Sequence, residues 1–212
     1  DIIKNRDLTW NFGIDATFLK NEITKLAEEN RENGIIASPY KYIEGRSRYD
    51  FYIYQWAGVD QMDGRGLYEF DEETYGSEDK ALPTVREING KLYTTKSDYA
   101  RRDWANETAF PDVFGSIKSS LNYKDFNLSV LCTYSLGGKA LDYPYASLMN
   151  ASMNPSSLHK DILNAWKEIP EGMEEDSPNR IDPNGIPKLD YNTSSDYSSG
   201  SSTRFLTSKS YF

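Results

Sequence analysis

Six carboxylates crowd one short stretch of the chain: Glu69, Asp71, Glu72, Glu73, Glu78 and Asp79. A calcium loop needs acidic residues at alternate positions closed by glycine, and that D-x-D-x-D-G spacing is absent, so the run reads as a solvated acidic loop. Carboxylate pairs do acid and base work on glycosidic bonds only where an apolar pocket raises one pKa, and no apolar flank accompanies these. The single histidine, His159, falls on the polar side of a helical pattern. The single cysteine, Cys132, has no second cysteine for a disulfide and no nearby histidine for a metal, and reads as a small apolar side chain on a strand. No G-x-S-x-G, H-E-x-x-H or glycine-rich phosphate loop occurs. The expectation is a protein that is not an enzyme, with no catalytic residue, no metal ligand and no cofactor.

Bulk properties narrow the class further. A net charge of -9 argues against nucleic acid as a partner, because phosphate binding needs a basic face interleaved with aromatics. Mean hydropathy is -0.71 and no run of 18 apolar residues occurs, which excludes a bundle of membrane helices. A membrane barrel stays open, since its lipid face uses only alternate residues. Aromatics make up 14% of the 212 residues, with 16 Tyr and 4 Trp, as suits aromatic girdles or a ligand-binding platform. The chain opens at Asp1-Ile2-Ile3-Lys4 with no leader pattern, so the expectation is a processed chain or an internal piece.

The elements that organise the chain lie in residues 111–138 and 8–18. After a corner at Tyr123-Lys124-Asp125-Phe126, the residues Phe126, Leu128, Val130, Cys132, Tyr134 and Leu136 share one face. Asn127, Ser129, Leu131, Thr133 and Ser135 share the other. Before the corner, Val113, Gly115, Ile117, Ser119, Leu121 and Tyr123 oppose Phe114, Ser116, Lys118, Ser120 and Asn122. Leu8, Trp10, Phe12, Ile14, Ala16 and Phe18 alternate with Thr9, Asn11, Gly13, Asp15 and Thr17 in the clearest period-two signal of the sequence. Each run is roughly ten residues long, the length a tilted strand needs to cross a bilayer, against about five or six for a soluble strand. Asp15, on the polar face, is acceptable toward a wet lumen and costly toward lipid. Aromatic ends on the apolar face and a tight corner between long flanking segments fit the same architecture.

Elsewhere the signals are local. Residues 20–33 read as a connection with weak helical spacing. Residues 48–56 are β by propensity but aromatic on both faces. Asp63-Gly64 marks a turn, and residues 86–93 read as a small hairpin about Asn89-Gly90 that decorates a loop. Residues 137–203 read as one long loop. Within it, Asn154-Pro155 should start a helix with Leu158, Ile162 and Trp166 on one stripe. Residues 192–203 read as a linker, and residues 204–212 resume a β-like segment.

Several of these stretches resemble SusC-like (RagA-like) TonB-dependent outer-membrane receptors of the Bacteroidetes. The strand from Asp7 to Phe18 is similar to the family's D-L-T-W strand, and Trp56-Ala57-Gly58-Val59-Asp60 with Gly64 and Leu67-Tyr68 is similar to its A-G-V-D segment. Most specific are Phe110-Pro111-Asp112-Val113-Phe114-Gly115, then Tyr123-Lys124-Asp125-Phe126-Asn127-Leu128-Ser129, and Tyr134-Ser135-Leu136-Gly137-Gly138-Lys139. Asn164-Ala165-Trp166-Lys167, Ile186-Pro187-Lys188-Leu189 and Ser202-Thr203-Arg204-Phe205-Leu206 resemble the stretch that follows. The acidic loop lacks the N-G-D-G run of many relatives. The resemblance implies an all-β fold, an antiparallel meander forming part of a 22-stranded transmembrane barrel with long extracellular loops and one short loop helix. Residues 1–212 would be one partial barrel domain from the C-terminal half, with the plug and the other strands absent. It further implies uptake of oligosaccharides or peptides across the outer membrane, a SusD-like surface lipoprotein partner, the TonB complex acting through the absent plug, and contact with outer-membrane lipid. Which residues touch ligand is not encoded in any motif. If the corner is periplasmic, parity along the chain predicts that 126–136 runs outward and that 8–18 runs inward unless an extra strand lies between Lys20 and Arg46. The other reading is a secreted, soluble all-β module binding carbohydrate or peptide, whose apolar strand faces meet a protein core, and detergent dependence separates the two.

Overall fold

The computed structural model describes residues 2–150, 157–189 and 200–212. In chain order its strands are β1 (Ile3–Lys4), β2 (Leu8–Thr17), β3 (Ile35–Ala37), β4 (Tyr40–Tyr42), β5 (Asp50–Tyr54), β6 (Trp56–Asp60), β7 (Gly66–Glu69), β8 (Val85–Ile88), β9 (Lys91–Thr94), β10 (Arg102–Thr108), β11 (Val113–Tyr123), β12 (Phe126–Leu136), β13 (Lys139–Leu141), β14 (Ile181–Asp182) and β15 (Leu206–Ser208). Two short helices are α1 (Ser77–Lys80) and α2 (Tyr143–Leu148). Every strand ladder is antiparallel, so the all-β antiparallel class expected from the sequence is found.

The long strands form one sheet in the order β1-β2-β11-β12, and their bounds match the alternation to within a residue. The corner between β11 and β12 is a two-residue turn in which Lys124 takes a φ of 50°, with Tyr123 paired to Phe126. Leu8 pairs with Tyr123 and Thr17 nearly reaches the far end, opposite Phe114. β2 therefore starts at the corner and runs the same way as β12, which corrects the inward direction predicted from parity. Residues 48–56, β by propensity, do not supply the extra crossing that an inward β2 would need. The structure breaks them into β5 and β6, five residues each, whose Phe51, Ile53 and Val59 are buried among other short strands. Residues 18–112 and 137 onward thus leave the long sheet at the same end.

A second lobe grows from that end. The sheets β10-β5-β4-β3 and β14-β6-β7-β9-β8 enclose the core of the molecule, with Ile53, Val59, Leu67 and Tyr68 fully buried. The hairpin at Asn89-Gly90 forms with positive φ at both residues, as a tight turn requires. It is not a decoration, however: β8 and β9 complete the five-stranded sheet and bury Val85 and Ile88. Residues 20–33 carry only a 3-10 turn at Glu28–Asn30. The expected helix start at Asn154-Pro155 and most of the expected 192–203 linker lie outside the described residues. Downstream of that start the chain makes a 3-10 turn, Lys160–Asn164, and the α-helix of the segment lies earlier, at α2, where Asp142 caps the Tyr145 amide at 2.9 Å. Sequence reading missed α2 because Pro144 sits inside a short aromatic run with no apolar period.

One buried ionic cluster ties the lobe together. Asp60 is fully buried at the end of β6, and its carboxylate accepts Arg180 Nε and Nη2 and Arg86 Nη1, each at 2.9 Å, together with the Met62 amide at 3.0 Å. Arg86 also reaches Asp63 at 2.6 Å. Beside the cluster, β14 pairs with β6, and the Trp166 ring lies on Gly64 while its Nε1 donates to the Gln61 carbonyl at 3.1 Å. Gly64 has a φ of 73° and no room for a Cβ under that ring, so glycine is required on both counts. Burial acts to raise the Asp60 pKa, but the Arg180 bond, the Met62 amide, the Arg180 charge and the Arg86 bond together hold it below the ordinary carboxylate value. A lowered folded pKa means stability that is present above about pH 4 and lost as pH falls through the folded value. Asp60→Ala leaves the mostly buried Arg180 without a counter-charge while Arg86 keeps only Asp63, and should destabilise the lobe by about 3 to 5 kcal/mol. Urea melts between pH 3 and pH 7 check this. The wild type should lose stability at the acid end, and that acid dependence should be much reduced in Asp60→Ala.

Candidate functional site

The functional candidate is the pair of faces of the long sheet. Register aligns their side chains across strands, since opposite residues in an antiparallel ladder point the same way. Trp10 stands opposite Leu121 and Leu121 opposite Leu128, while Ile14, Ile117 and Cys132 form another row. The three alternating patterns are therefore in phase, and one continuous apolar face results. Among the described residues nothing covers it: Ile14 is 61% exposed, Phe126 60%, Leu128 48% and Val130 46%. This face is not buried, among the described residues, in a core of the chain's own, which lies in the other lobe. Cys132 sits on this face, as the sequence suggested.

The opposite face is polar and internally bonded. Asp15 pairs with Lys118 at 3.0 Å and accepts from the Ser116 hydroxyl at 2.9 Å. Asn11 donates to Ser120 at 3.4 Å, and Asn127 bonds Asn122 beside the corner. The sequence flagged Asp15 but not its cation. Lys118 lies two residues along β11 from Ser116, the direct partner of Asp15, which only the pairing reveals. Leu131, 62% exposed, and Phe114, 38% exposed, are the apolar exceptions on this face.

Near the end away from the corner, Gly115 lies between Ala16 and Tyr134, and a Cβ there would run into the Asp15 carbonyl and the Tyr134 hydroxyl. That opening lets Tyr134 reach across β11 and donate to the Asp15 carbonyl at 3.0 Å. Tyr134 and Phe126 thus mark the two ends of the apolar face, as girdle residues do.

The other residues weighed for chemistry are engaged locally. Asp71 accepts the amides of Glu73 and Thr74, and Glu72 pairs with Lys80 at 2.7 Å. Among the described residues no three metal-ligating side chains converge. His159 precedes the 3-10 turn at 160–164, where its Nδ1 accepts the Asp161 amide at 3.2 Å and its ring packs edge-on against Tyr145.

No family model matches the chain. It is 26% identical over 172 residues to TonB-dependent receptor P3 of Formosa agariphila, a match covering 77% of this chain and 16% of that protein. In fold it is similar to the RagAB peptide transporter, with a TM-score of 0.67 at 19% identity over 99% of this chain and 20% of that one. The RagAB peptide importer in its closed-closed state gives a TM-score of 0.68 at the same identity and coverage. The resemblance to RagA-like TonB-dependent receptors therefore holds in sequence and, separately, in fold, and the chain spans a fifth or less of the length of these relatives.

Val130 tests the apolar face. In lipid, Val130→Arg should cost about 2 to 4 kcal/mol near mid-membrane. Val130→Phe should cost almost nothing there, whereas a close-packed protein core resists such enlargement by about 1 to 3 kcal/mol. Refolding of the receptor that contains the chain into bilayers measures both, and a large loss for Val130→Phe would count against a lipid-facing position.

Proposed function

We propose that the chain is part of the barrel wall of a TonB-dependent outer-membrane importer, in which β2, β11 and β12 cross the membrane. The observation that carries this reading is the in-phase apolar face, three strands wide and of membrane-crossing length, backed by a polar face that suits a wet lumen. On this reading the corner at Lys124 is periplasmic, while the lobe of residues 18–112 and the segment from 137 onward are extracellular. Long segments at one end and a tight turn at the other are how such barrels distribute their connections. Uptake of oligosaccharides or peptides, TonB-derived energy delivered through a plug, and a SusD-like surface lipoprotein are the remaining parts of the proposal. Peptide uptake is supported by likeness in fold to the RagAB peptide transporter and importer, and TonB dependence by likeness in sequence to TonB-dependent receptor P3. The chain's own share of the work is structural and selective. It supplies wall, rim and an extracellular lobe, and it performs no bond chemistry.

Topology is directly testable in cells producing the receptor that contains the chain. In a Cys132→Ser background, Glu73→Cys should react with a bulky, membrane-impermeant maleimide in intact cells. Lys124→Cys should react only after the outer membrane is opened. The reverse pattern would sink the assignment.

A further inference from the structure

The long sheet ends at β12 with one edge unpaired. Alternate residues of a strand in an antiparallel ladder bond to opposite sides, and β11 takes one set from β12 over the whole of its 11 residues. The other set, at Asn127, Ser129, Leu131, Thr133 and Ser135, turns its N–H and C=O groups away from β11. Among the described residues only Ser135 has a backbone partner there: its amide donates to the Tyr211 carbonyl at 3.0 Å, and the Tyr211 amide donates back at 2.9 Å. Water satisfies such an edge in solution but hydrocarbon does not, so a strand that crosses a bilayer needs a neighbour along its full length.

The approach of Tyr211 continues a longer pairing. Leu141 pairs with Leu206, Ala140 with Thr207 and Lys139 with Ser208, and the Lys209 amide then donates to the Gly138 carbonyl at 3.1 Å. Residues 206–211 thus follow 141–135, antiparallel throughout. Between the pair Lys139 and Ser208 and the pair Ser135 and Tyr211 stand three residues on one side and two on the other, so one residue bulges. Gly137 takes that place, with a φ of 78° and its amide held by the Ser210 hydroxyl at 3.0 Å. The bulge shifts the register by one, and so decides which side chains turn to which face beyond it. Tyr211, opposite Ser135, belongs to the polar face. Phe212 then comes opposite Tyr134 on the apolar face, where it is 92% exposed.

We infer that residues 206–212 open a further wall strand, and that in the receptor containing the chain this strand runs on along the free edge of β12 to the Lys124 corner. This rests on the importer reading above and names the partner of its unpaired edge. The register carries over. The second residue after Phe212 falls opposite Cys132, the fourth opposite Val130 and the sixth opposite Leu128, all on the apolar face, while the residues between them join the polar face. Phe212 and Tyr134 become neighbouring rings at the outer end of the apolar band, as a girdle requires.

Cysteine cross-linking tests partner and register together. Tyr211 and Ser135 form a hydrogen-bonded pair, so three steps further the pair at Cys132 is a non-hydrogen-bonded one, with Cα atoms about 4.5 Å apart and within reach of a disulfide. The receptor that contains the chain is used with its other cysteines replaced by serine. A cysteine at the second residue after Phe212 should join Cys132 within one chain when outer membranes are treated with copper phenanthroline, as read on non-reducing gels. A cysteine at the first or third residue points to the other face and should link at least about tenfold less. If the new cysteine hinders assembly, Tyr134→Cys with Phe212→Cys in a Cys132→Ser background is the equivalent pair and should link as well. Preferred linking from the first or third residue, linking between two receptor copies, or no link from either pair in assembled receptor would overturn the inference. If linking fails while Glu73→Cys and Lys124→Cys still label as expected, the strand assignment falls and the importer reading stands; a reversed labelling pattern removes both.

Discussion

A carboxylate with no access to water decides how the outer lobe is built. Asp60 is tolerable inside the protein only because two guanidinium groups from distant parts of the chain, Arg86 on β8 and Arg180 just before β14, complete its coordination. Removing the carboxylate strands Arg180 and leaves Arg86 only Asp63, and removing either arginine leaves the buried Asp60 a single guanidinium partner, so the three positions are coupled. Their joint effect is topological. The cluster draws β8 against the β6–β7 turn, and pins residues 180–182 to the free edge of β6. The Trp166 ring on Gly64 repeats the same clamp in apolar form one turn away. Stretches of sequence far apart are thus held at a single point.

The long sheet depends on a different constraint, phase. Three strands with a period of two give an apolar face only if every cross-strand pair matches like parity, and a slip of one residue would turn half of them over. Here the pairs Leu8 with Tyr123 and Tyr123 with Phe126 put all three in step. The tight turn at Lys124 fixes one of the two registers. Glycine at 115, with Tyr134 reaching across it to the Asp15 backbone, pins the other at its far end. The polar face is stitched by the Asp15 and Lys118 pair, which sits where a charge can meet water.

The sheet was legible in the sequence because period-two alternation is a local property, readable one strand at a time. The bounds of β11 and β12 follow from it directly. What alternation does not carry is which strand neighbours which, and so the direction of β2 was misjudged. Tyr52 and Phe51 are both aromatic, and their opposite fates, one half-buried against Trp104 and one in the core, depend on partners that no local window contains. The same holds for Asp60. Its place in the Trp56 to Asp60 segment was readable as part of a resemblance, but its burial and its two arginines, at positions 86 and 180, were not. The acidic run from Glu69 to Asp79 drew notice as possible chemistry and proved to be turn capping and surface pairing.

The pairing of β2 with β11 across residues 18–112 also bears on the order in which the molecule is made. For a flexible connection, bringing the two strands together would carry the entropy of closing a very long loop. The intervening residues are not flexible: β5 already lies beside β10, and β10 runs into β11 through a few residues. Once the lobe has folded on its own core, the stem of the loop is short, and β11 is delivered next to β2 at little further entropic cost. Contacts formed between nearby strands of the lobe thereby make a distant pairing kinetically local. A substitution that loosens the lobe, though far from the apolar face, should then slow closure of the sheet. The lobe acts as a folding template for the wall beneath it.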